Sequence, residues 1–200
     1  MSGFFIVLEG PDGSGTTLHS TLLSRKLEAQ GMKVLRTSEP TDGPIGTAIR
    51  RDLDKGTPFS PLELQKRFCS DRAWHLNEVI APALRTGSIV ISDRYIPSTF
   101  AYGEALGIRR EELENMNKDF IRPSLLFLLL PPLEVCARRL KSREKLDALE
   151  EVTFQRRVYD LYAHMAAEDP SIIPIDTSGP KHASAEEIYR NVEWKMKRNL

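Results

Sequence analysis

The sequence has 200 residues, few cysteines, no long hydrophobic run and no net charge. Lysine and arginine total 28, and aspartate and glutamate also total 28. This balance gives no sign of a nucleic-acid or membrane partner, so any recognition of anions must be local. The two cysteines, Cys69 and Cys136, lie far apart without metal-ligand spacing, and we interpret them as reduced thiols of a cytosolic protein.

Two further absences bear on location. The longest apolar run, LLFLLLPPL, is too short to cross a bilayer. The opening stretch MSGFFIVLEG has no basic region of the kind that begins a signal peptide. We therefore expect no membrane partner and a cytoplasmic protein. The length suits one compact domain over residues 1–200, and we find no internal repeat or long linker in it.

Short apolar runs alternate with amphipathic stretches along the chain. The runs are continuous rather than alternating in hydrophobicity, which is typical of strands covered on both faces. The predicted strands are Phe4–Glu9, Lys33–Thr37, Ser88–Ser92, Leu125–Leu130 and Ile172–Asp176. The predicted helices are a leucine-faced segment that ends at Gly31, then Leu62–Arg85, Val152–Ala167 and Ala185–Lys197. This order indicates a parallel sheet between layers of helices, with ligands bound beyond the carboxyl ends of the strands.

The stretch EGPDGSGTT, from Glu9 to Thr17, joins the first predicted strand to the first helix. Glycines at positions 10, 13 and 15 allow backbone N–H groups to surround phosphate oxygens, and the helix dipole adds to the attraction. Thr17 occupies the position of a hydroxyl that ligates Mg²⁺, whereas Thr16 stands where a phosphate-binding loop usually carries lysine. The alternative is a glycine-rich turn without a ligand.

The ends of later strands carry further candidates. Asp93 and Arg94 follow the third predicted strand, where an aspartate can hold hydrated Mg²⁺ and an arginine can bind phosphate in bidentate fashion. An Asp–Arg pair that only caps the loop is the alternative. After the second strand, Glu39 precedes proline, and a short helix carries Arg50; alone, this segment is typical of an ordinary loop.

Phe68 and Arg72 lie four residues apart on one face of the long predicted helix. An aromatic ring that stacks on a base, beside a guanidinium that bonds its edge, suits a nucleobase pocket; packing in the core is the alternative. After the fourth strand, basic residues crowd a short span: Arg138, Arg139, Lys141, Arg143 and Lys145. They form either a solvated helix face or, over about residues 138–150, a lid that faces phosphate.

In order and spacing, six segments resemble the thymidylate kinases among the P-loop nucleoside monophosphate kinases. They are FFIVLEGPDGSGTT, SEPTDGPIGTAIR, RFCSDRAWHLNEVIAPAL, SDRYIPSTFAYG, RPSLLFLL and RLKSREKLD. The resemblance covers nearly the whole chain. It implies a three-layer α/β/α P-loop NTPase fold with a five-stranded parallel sheet and a short helical lid. It also implies a homodimer that transfers the γ-phosphoryl group of MgATP to dTMP.

The resemblance assigns roles by position. The ATP-binding set is Gly10, Pro11, Asp12, Gly13, Ser14, Gly15, Thr16, Thr17 and Arg139. The dTMP-binding set is Asp12, Glu39, Arg50, Phe68, Arg72, Arg94, Thr99 and Tyr102. Phe68 stacks on thymine in this assignment, and Tyr102 closes the sugar side against a 2′-hydroxyl. The catalytic residues are Asp12, Asp93, Arg94 and Arg143, and Thr17 and Asp93 hold the metal.

The sequence departs from the family pattern at three positive groups. Thr16 replaces the loop lysine, Ser38 replaces an arginine before Glu39, and Ala148 replaces an arginine in the lid. We expect Arg143 to compensate, with Lys141 and Lys145 next. Two alternatives stay open: a nucleotide-binding relative with weak or no catalysis, and a kinase for another nucleoside monophosphate.

Overall fold

The computed structural model describes residues 3–56, 58–141 and 152–198. These residues form a five-stranded, all-parallel sheet in the order β2-β3-β1-β4-β5. The strands are β1 (Phe4–Glu9), β2 (Val34–Ser38), β3 (Ile89–Asp93), β4 (Leu125–Leu129) and β5 (Ile172–Ile175). All five predicted strands are therefore confirmed, with ends that differ by one residue at most.

Helices cover both faces of this sheet. Their bounds are α1 (Thr16–Glu28), α2 (Pro44–Asp54), α3 (Pro61–His75), α4 (Ala81–Arg85), α5 (Ile96–Ala105), α6 (Arg110–Asn117), α7 (Leu133–Lys141), α8 (Val152–Glu168) and α9 (Lys181–Arg198). A π-helical turn at Leu76–Ile80 joins α3 to α4. The predicted helix Leu62–Arg85 is therefore a nearly continuous helical segment. The predicted three-layer fold is confirmed.

The central strand β1 divides the core into two clusters. Its side chains alternate between the two faces of the sheet. Phe5 and Val7 join a cluster with residues of α2, α3, α5 and α8, whereas Ile6 and Leu8 join a cluster with residues of α1 and α9. Each such side chain, when fully buried, stabilises the fold by about 1.5–3 kcal/mol. The helices are thereby fixed around the carboxyl end of β1.

Local signals explain where α3 begins. The Ser60 side chain accepts a hydrogen bond from the backbone N–H of Glu63, and the Glu63 carboxylate accepts one from the Ser60 backbone. Pro61 at the first helical position needs no donor there. Such a reciprocal cap satisfies two backbone donors that the helix itself cannot, and it fixes the register of α3, which carries Phe68 and Arg72.

The helices α5 and α6 are not among the predicted elements. Seven of the ten residues of α5 are buried, so its sequence has no polar face that would reveal a helical period. Pro97 lies in its first turn, where proline is tolerated. No helix among the described residues is long and apolar enough to span a membrane.

A buried histidine joins α1 to α9. His19 Nδ1 lies 2.9 Å from the carbonyl oxygen of Gly15, and Nε2 lies 2.8 Å from the hydroxyl of Ser184. Since Nδ1 must donate to the carbonyl, neutral His19 accepts from Ser184 through Nε2. Burial lowers the pKa of His19, and the charge of Arg139 lowers it further. The folded protein therefore favours the neutral ring.

We predict that His19 makes the folded protein less stable in mild acid. A depressed pKa means that the unfolded chain binds the proton more tightly, so the free energy of unfolding falls as pH drops below the ordinary value of 6.5. Protonation also removes the acceptor for Ser184, a loss on the order of 1 kcal/mol. Urea denaturation at pH 7.5 and 5.5 measures this, and His19→Gln should lose less stability between the two values than the unaltered protein.

The matched control is His164→Gln, because the side chain of His164 is 64% exposed. This variant should keep the pH dependence of the unaltered protein. Equal losses for His19→Gln and for the unaltered protein would contradict the prediction.

Candidate active site

Three neighbouring strands place their last residues at one edge of the sheet. Leu8 of β1 is in register with Asp93 of β3, which in turn is in register with Ser38 of β2. The loops that follow these strands therefore converge. They carry Asp12, Glu39 and Arg94, and the structure brings these three predicted residues to one cleft.

The loop after β1 depends on glycine at two close approaches. Gly10 has φ 153°, and a Cβ atom there would lie 2.4 Å from the carbonyl oxygen of Leu129. Gly13 has φ 81°, and its Cβ atom would lie 2.6 Å from the carbonyl oxygen of Cys136. Any other residue would force the backbone of β4 or α7 to move. The loop is thus held against its neighbours in one shape.

Helix α1 begins directly after this loop. Gly15 caps it in the left-handed conformation, and Thr16 and Thr17 open the helix. The first N–H groups of a helix have no intrahelical partner, and together with the helix dipole they bind anions. Ser14 is completely buried, and its hydroxyl has no partner among the described residues. This arrangement can bind a phosphate group through backbone donors alone.

Thr17 and Asp93, the two residues predicted to hold the metal, contact each other. The Thr17 hydroxyl donates to Oδ2 of Asp93. The other carboxylate oxygen, Oδ1, is buried and has no partner within the described part of the chain. A hydroxyl and a carboxylate oxygen are ligands that Mg²⁺ accepts, directly or through water. Within the described residues there is no group of three His, Cys, Asp or Glu that could hold a metal ion.

Arg94 lies at the centre of the cleft. Its φ of 76° is positive, which is uncommon for a residue other than glycine and turns the side chain back toward the β1 loop. Nη1 donates to the carbonyl oxygen of Gly10 at 2.9 Å and to the hydroxyl of Ser98 at 3.2 Å. Nη2 forms an ion pair with Asp12. Such unusual backbone geometry is often found at functional sites.

Asp12 receives donors from three elements. Besides Arg94, the Tyr102 hydroxyl donates to its Oδ2 at 2.6 Å, and the Gln155 amide does so at 2.9 Å. Burial raises the pKa of the Tyr102 phenol well above its usual value, and the neighbouring Asp12 charge raises it further. Tyr102 therefore stays a donor at physiological pH. The carboxylate and the guanidinium form a fixed pair that faces the cleft.

Beneath this pair lies the carboxylate of Glu9, the last residue of β1, for which the sequence predicts no role in the site. Glu9 is 0% exposed and accepts hydrogen bonds from the backbone of Tyr95 at 2.6 Å, from the Ser98 hydroxyl at 2.8 Å and from the Tyr162 hydroxyl at 2.9 Å. Burial raises the pKa of Glu9, whereas the charge of Arg94 and these bonds lower it. Glu9 thereby anchors the turn that aims Arg94.

The cleft beside Arg94 encloses about 570 Å³, counting space open to solvent. Its lining is mixed: Asp12, Glu39, Pro40, Leu53, Gln65, Phe68, Arg72, Arg94, Tyr95, Ser98, Thr99 and Tyr102. Phe68 is half-buried, so part of its ring faces the opening. The structure therefore gathers Asp12, Glu39, Phe68, Arg72, Arg94, Thr99 and Tyr102 from the predicted dTMP-binding set.

Arg72 is 2% exposed and engages protein acceptors with all three guanidinium nitrogens. Nε donates to Glu39 at 2.9 Å, and Nη1 donates to Thr99 at 3.0 Å and to Asn117. Nη2 donates to the carbonyl oxygen of Tyr95 at 2.8 Å. The charge of Glu39 holds the pKa of Arg72 above its usual range despite burial. These hydrogen bonds hold the side chain of Arg72 in one position where it lines the cleft.

Sequence reasoning missed Gln65. This side chain lines the cleft, is 1% exposed, and has no hydrogen-bond partner for Nε2 or Oε1 among the described residues. Burying an amide without a partner costs about 1–3 kcal/mol. Its signal was available, because Gln65 precedes Phe68 by three residues and Arg72 by seven and so shares their helical face.

Other predicted residues lie elsewhere. Arg50 is not among the cleft residues; its guanidinium donates to the carbonyl oxygens of Pro40 and Thr41 and pairs with Asp42. Arg139 donates to the carbonyl oxygen of Gly13 at 3.1 Å and to that of Thr177 at 2.7 Å. Both brace loops in this structure, and their predicted contacts with substrates stay predictions.

The part of the predicted lid beyond residue 141 is not described. Arg138, Arg139 and Lys141 belong to α7, whereas Arg143, Lys145 and Ala148 lie outside the described residues.

The sheet order 2-3-1-4-5, a glycine loop that leads into a helix and a hydrogen bond from Thr17 to Asp93 define an α/β/α protein of the P-loop class. A family model described as thymidylate kinase matches residues 8–188. The thymidylate kinase of Synechococcus sp. (strain JA-2-3B'a(2-13)) is 38% identical over 198 residues, which cover 96% of this chain and 95% of that protein. The probable thymidylate kinase of Pyrococcus horikoshii is 36% identical over 206 residues, covering 100% and 98%. The chain belongs to the thymidylate kinase family.

We predict that Glu9 supports the site at a measurable cost to stability when it is removed. Glu9→Leu leaves the buried donors of Tyr95, Ser98 and Tyr162 without their acceptor. It also removes a negative charge near Arg94, so the free energy of unfolding should fall by about 3 kcal/mol or more. Urea or thermal denaturation measures this. The control is Glu111→Leu, an exposed position where the change should stay within about 0.5 kcal/mol. A Glu9→Leu variant as stable as this control would contradict the prediction.

Proposed function

We propose that the protein is a thymidylate kinase, which transfers the γ-phosphoryl group of ATP to dTMP and yields dTDP and ADP. The observation that carries this proposal is the placement of Arg94. It lies between a loop suited to donor phosphates and a cleft that Phe68 and Tyr102 line, where a nucleotide acceptor fits. Family membership over nearly the whole chain supports the same activity.

On the acceptor side, the base of dTMP stacks on the half-buried ring of Phe68. The 5′-phosphate reaches Arg94, whose fork of N–H donors suits phosphate oxygens. Tyr102 lines the cleft and closes the sugar side, which disfavours a 2′-hydroxyl. Because Gly10 and Ser98 already hold the guanidinium of Arg94, this side chain needs little reorganisation when the phosphate arrives.

On the donor side, the Gly10–Thr17 loop binds the phosphates of ATP through backbone N–H groups and the α1 dipole. Thr17 and Asp93 hold the magnesium ion that accompanies ATP; when bound, this ion neutralises charge on the donor phosphates. Phosphoryl transfer asks mainly for in-line positioning and charge neutralisation. Arg94, which Asp12 holds in the free protein, binds the acceptor phosphate in front of the donor loop.

A cation must still replace the lysine absent from position 16. The resemblance assigns this role to Arg143, with Lys141 and Lys145 as neighbours, and we keep that assignment as part of the proposal. A homodimer and a cytoplasmic location, both expected from the sequence, belong to it as well.

We predict that dTMP is the preferred acceptor. Purified protein incubated with MgATP and equal concentrations of dTMP, dUMP, dGMP or AMP should form dTDP fastest, because the ring of Phe68 and the enclosed sugar side favour a deoxypyrimidine. Chromatographic identification of the diphosphate measures this. The control is Arg94→Met, which removes the phosphate-binding fork and should abolish transfer.

Two outcomes would favour the alternatives. Faster formation of another diphosphate would make the protein a different nucleoside monophosphate kinase. Calorimetric binding of ATP and dTMP without dTDP over hours would make it a nucleotide-binding relative that no longer catalyses transfer.

We predict that a lysine at position 16 substitutes for the lid cation. Arg143→Ala should lower kcat by about 10- to 100-fold, since one charge-assisted hydrogen bond to the transferring group is worth about 1.5–3 kcal/mol. Its dTMP affinity should stay unchanged. Thr16→Lys in the Arg143→Ala background should restore most of the turnover, as steady-state kinetics with MgATP would measure.

The matched control is Thr16→Met in the same background, because methionine supplies length without charge. Turnover unchanged in Arg143→Ala would remove Arg143 from the mechanism. A lysine variant no faster than the methionine variant would show that position 16 cannot reach the phosphates.

A further inference from the structure

The proposed acceptor site contains one buried amide whose role neither the family resemblance nor the mechanism above explains. Gln65 lies three residues before Phe68 on α3, so the two side chains share one helical face. Gln65 lines the same cleft as Phe68, Leu53 and Pro40. The carboxamide is therefore placed beside the ring on which the base stacks.

Among the buried polar side chains of the cleft, Gln65 and the phenol of Tyr95 have polar atoms without a hydrogen-bond partner within the described residues, and Gln65 offers both a donor and an acceptor. The guanidinium of Arg72 contacts protein acceptors through all three nitrogens, as described above. Asp12 is likewise engaged by Arg94, Tyr102 and Gln155. Gln65, at 1% exposure, has neither a donor nor an acceptor partner within the described ranges. A fold rarely retains such a group for stability, since a buried polar side chain normally finds a partner.

We propose that the carboxamide of Gln65 hydrogen-bonds the pyrimidine base of the acceptor nucleotide and is a specificity-determining residue of this site. This inference rests on the proposed function, because it takes the cleft to be the acceptor site. A carboxamide offers a donor, Nε2–H, and an acceptor, Oε1. A pyrimidine base offers the matching carbonyl oxygens and ring N–H. Gln65 thus supplies bonds that Arg72 can make only by giving up a protein partner.

The proposal implies opposite effects on the free and the occupied protein. Without nucleotide, the unpartnered amide lowers the free energy of unfolding. An apolar side chain of similar size in its place removes this loss. With nucleotide, the same apolar side chain leaves polar atoms of the base without partners. A residue retained for packing alone would show the reverse in the free protein, because its replacement would disturb the core.

The test uses Gln65→Leu and two ligands, dTMP and 2-deoxyribose 5-phosphate, which lacks the base. The melting temperature of the ligand-free variant should equal or exceed that of the unaltered protein. Its dissociation constant for dTMP, measured by calorimetry, should rise by about 10- to 100-fold. The dissociation constant of 2-deoxyribose 5-phosphate, measured by calorimetric competition with dTMP, should change less than about twofold, because that ligand keeps only the phosphate and sugar contacts.

The matched control is Gln30→Leu. Gln30 is exposed at the end of α1 and bonds to Tyr189, so the same chemical change there should leave both ligand affinities unaltered. The proposal is overturned if Gln65→Leu weakens the two ligands equally, or if dTMP binds as tightly as before. A lower melting temperature with equal weakening of both ligands would assign Gln65 to packing.

These readouts separate the proposal from the kinase activity. Affinity for dTMP and its dependence on Gln65 are measured without turnover. If no dTDP forms while that dependence persists, the kinase proposal fails and the role of Gln65 stands. If dTDP forms normally and the ratio of the two affinities is unchanged in Gln65→Leu, the kinase proposal stands and the role of Gln65 fails.

Discussion

The guanidinium of Arg94 is the one group on which the rest of the site depends. It bonds to the carbonyl oxygen of Gly10 in the phosphate loop and pairs with Asp12 from the same loop. Its own backbone follows β3 directly and bonds to β1 through Leu8. The loop after β1 and the cleft are therefore joined by a charged connection, the ion pair between Arg94 and Asp12. A displacement of either would move the other, so under the proposed function both substrates are positioned against Arg94.

Keeping the charged guanidinium of Arg94 out of water costs free energy. Negatively charged and polar groups packed around it offset this cost. Burial alone would disfavour the charge of Arg94, yet its pKa is raised well above the usual value because Asp12, Glu9 and the tyrosines lie around it. Glu9 in turn receives donors from Tyr95, Ser98 and Tyr162. A buried charge is tolerated when it is paired and fully bonded.

The fold and the strand-end residues could be predicted because their signals are local. Continuous apolar runs marked the strands, and the rule that ligands lie beyond the strand ends selected Asp93 and Arg94. Contacts between distant segments could not be predicted. The pattern on α3 singled out Arg72 but gave no hint that Glu39 and Asn117 occupy its donors. Gln65 was missed because polar residues on helices usually face water, although its spacing from Phe68 and Arg72 places it on their helical face.

The same geometry explains how the site can hold so many charges before any nucleotide arrives. In the free protein, Asp12 occupies Arg94 at the place where an acceptor phosphate is expected. A phosphate that takes over this contact replaces the carboxylate of Asp12, so the guanidinium of Arg94 always has an anionic acceptor. Asp12 keeps the donors of Tyr102 and Gln155 after the exchange. Since each charge retains a partner at every stage, substrate entry replaces contacts rather than creating unpaired groups, and little of the binding energy is lost to desolvation.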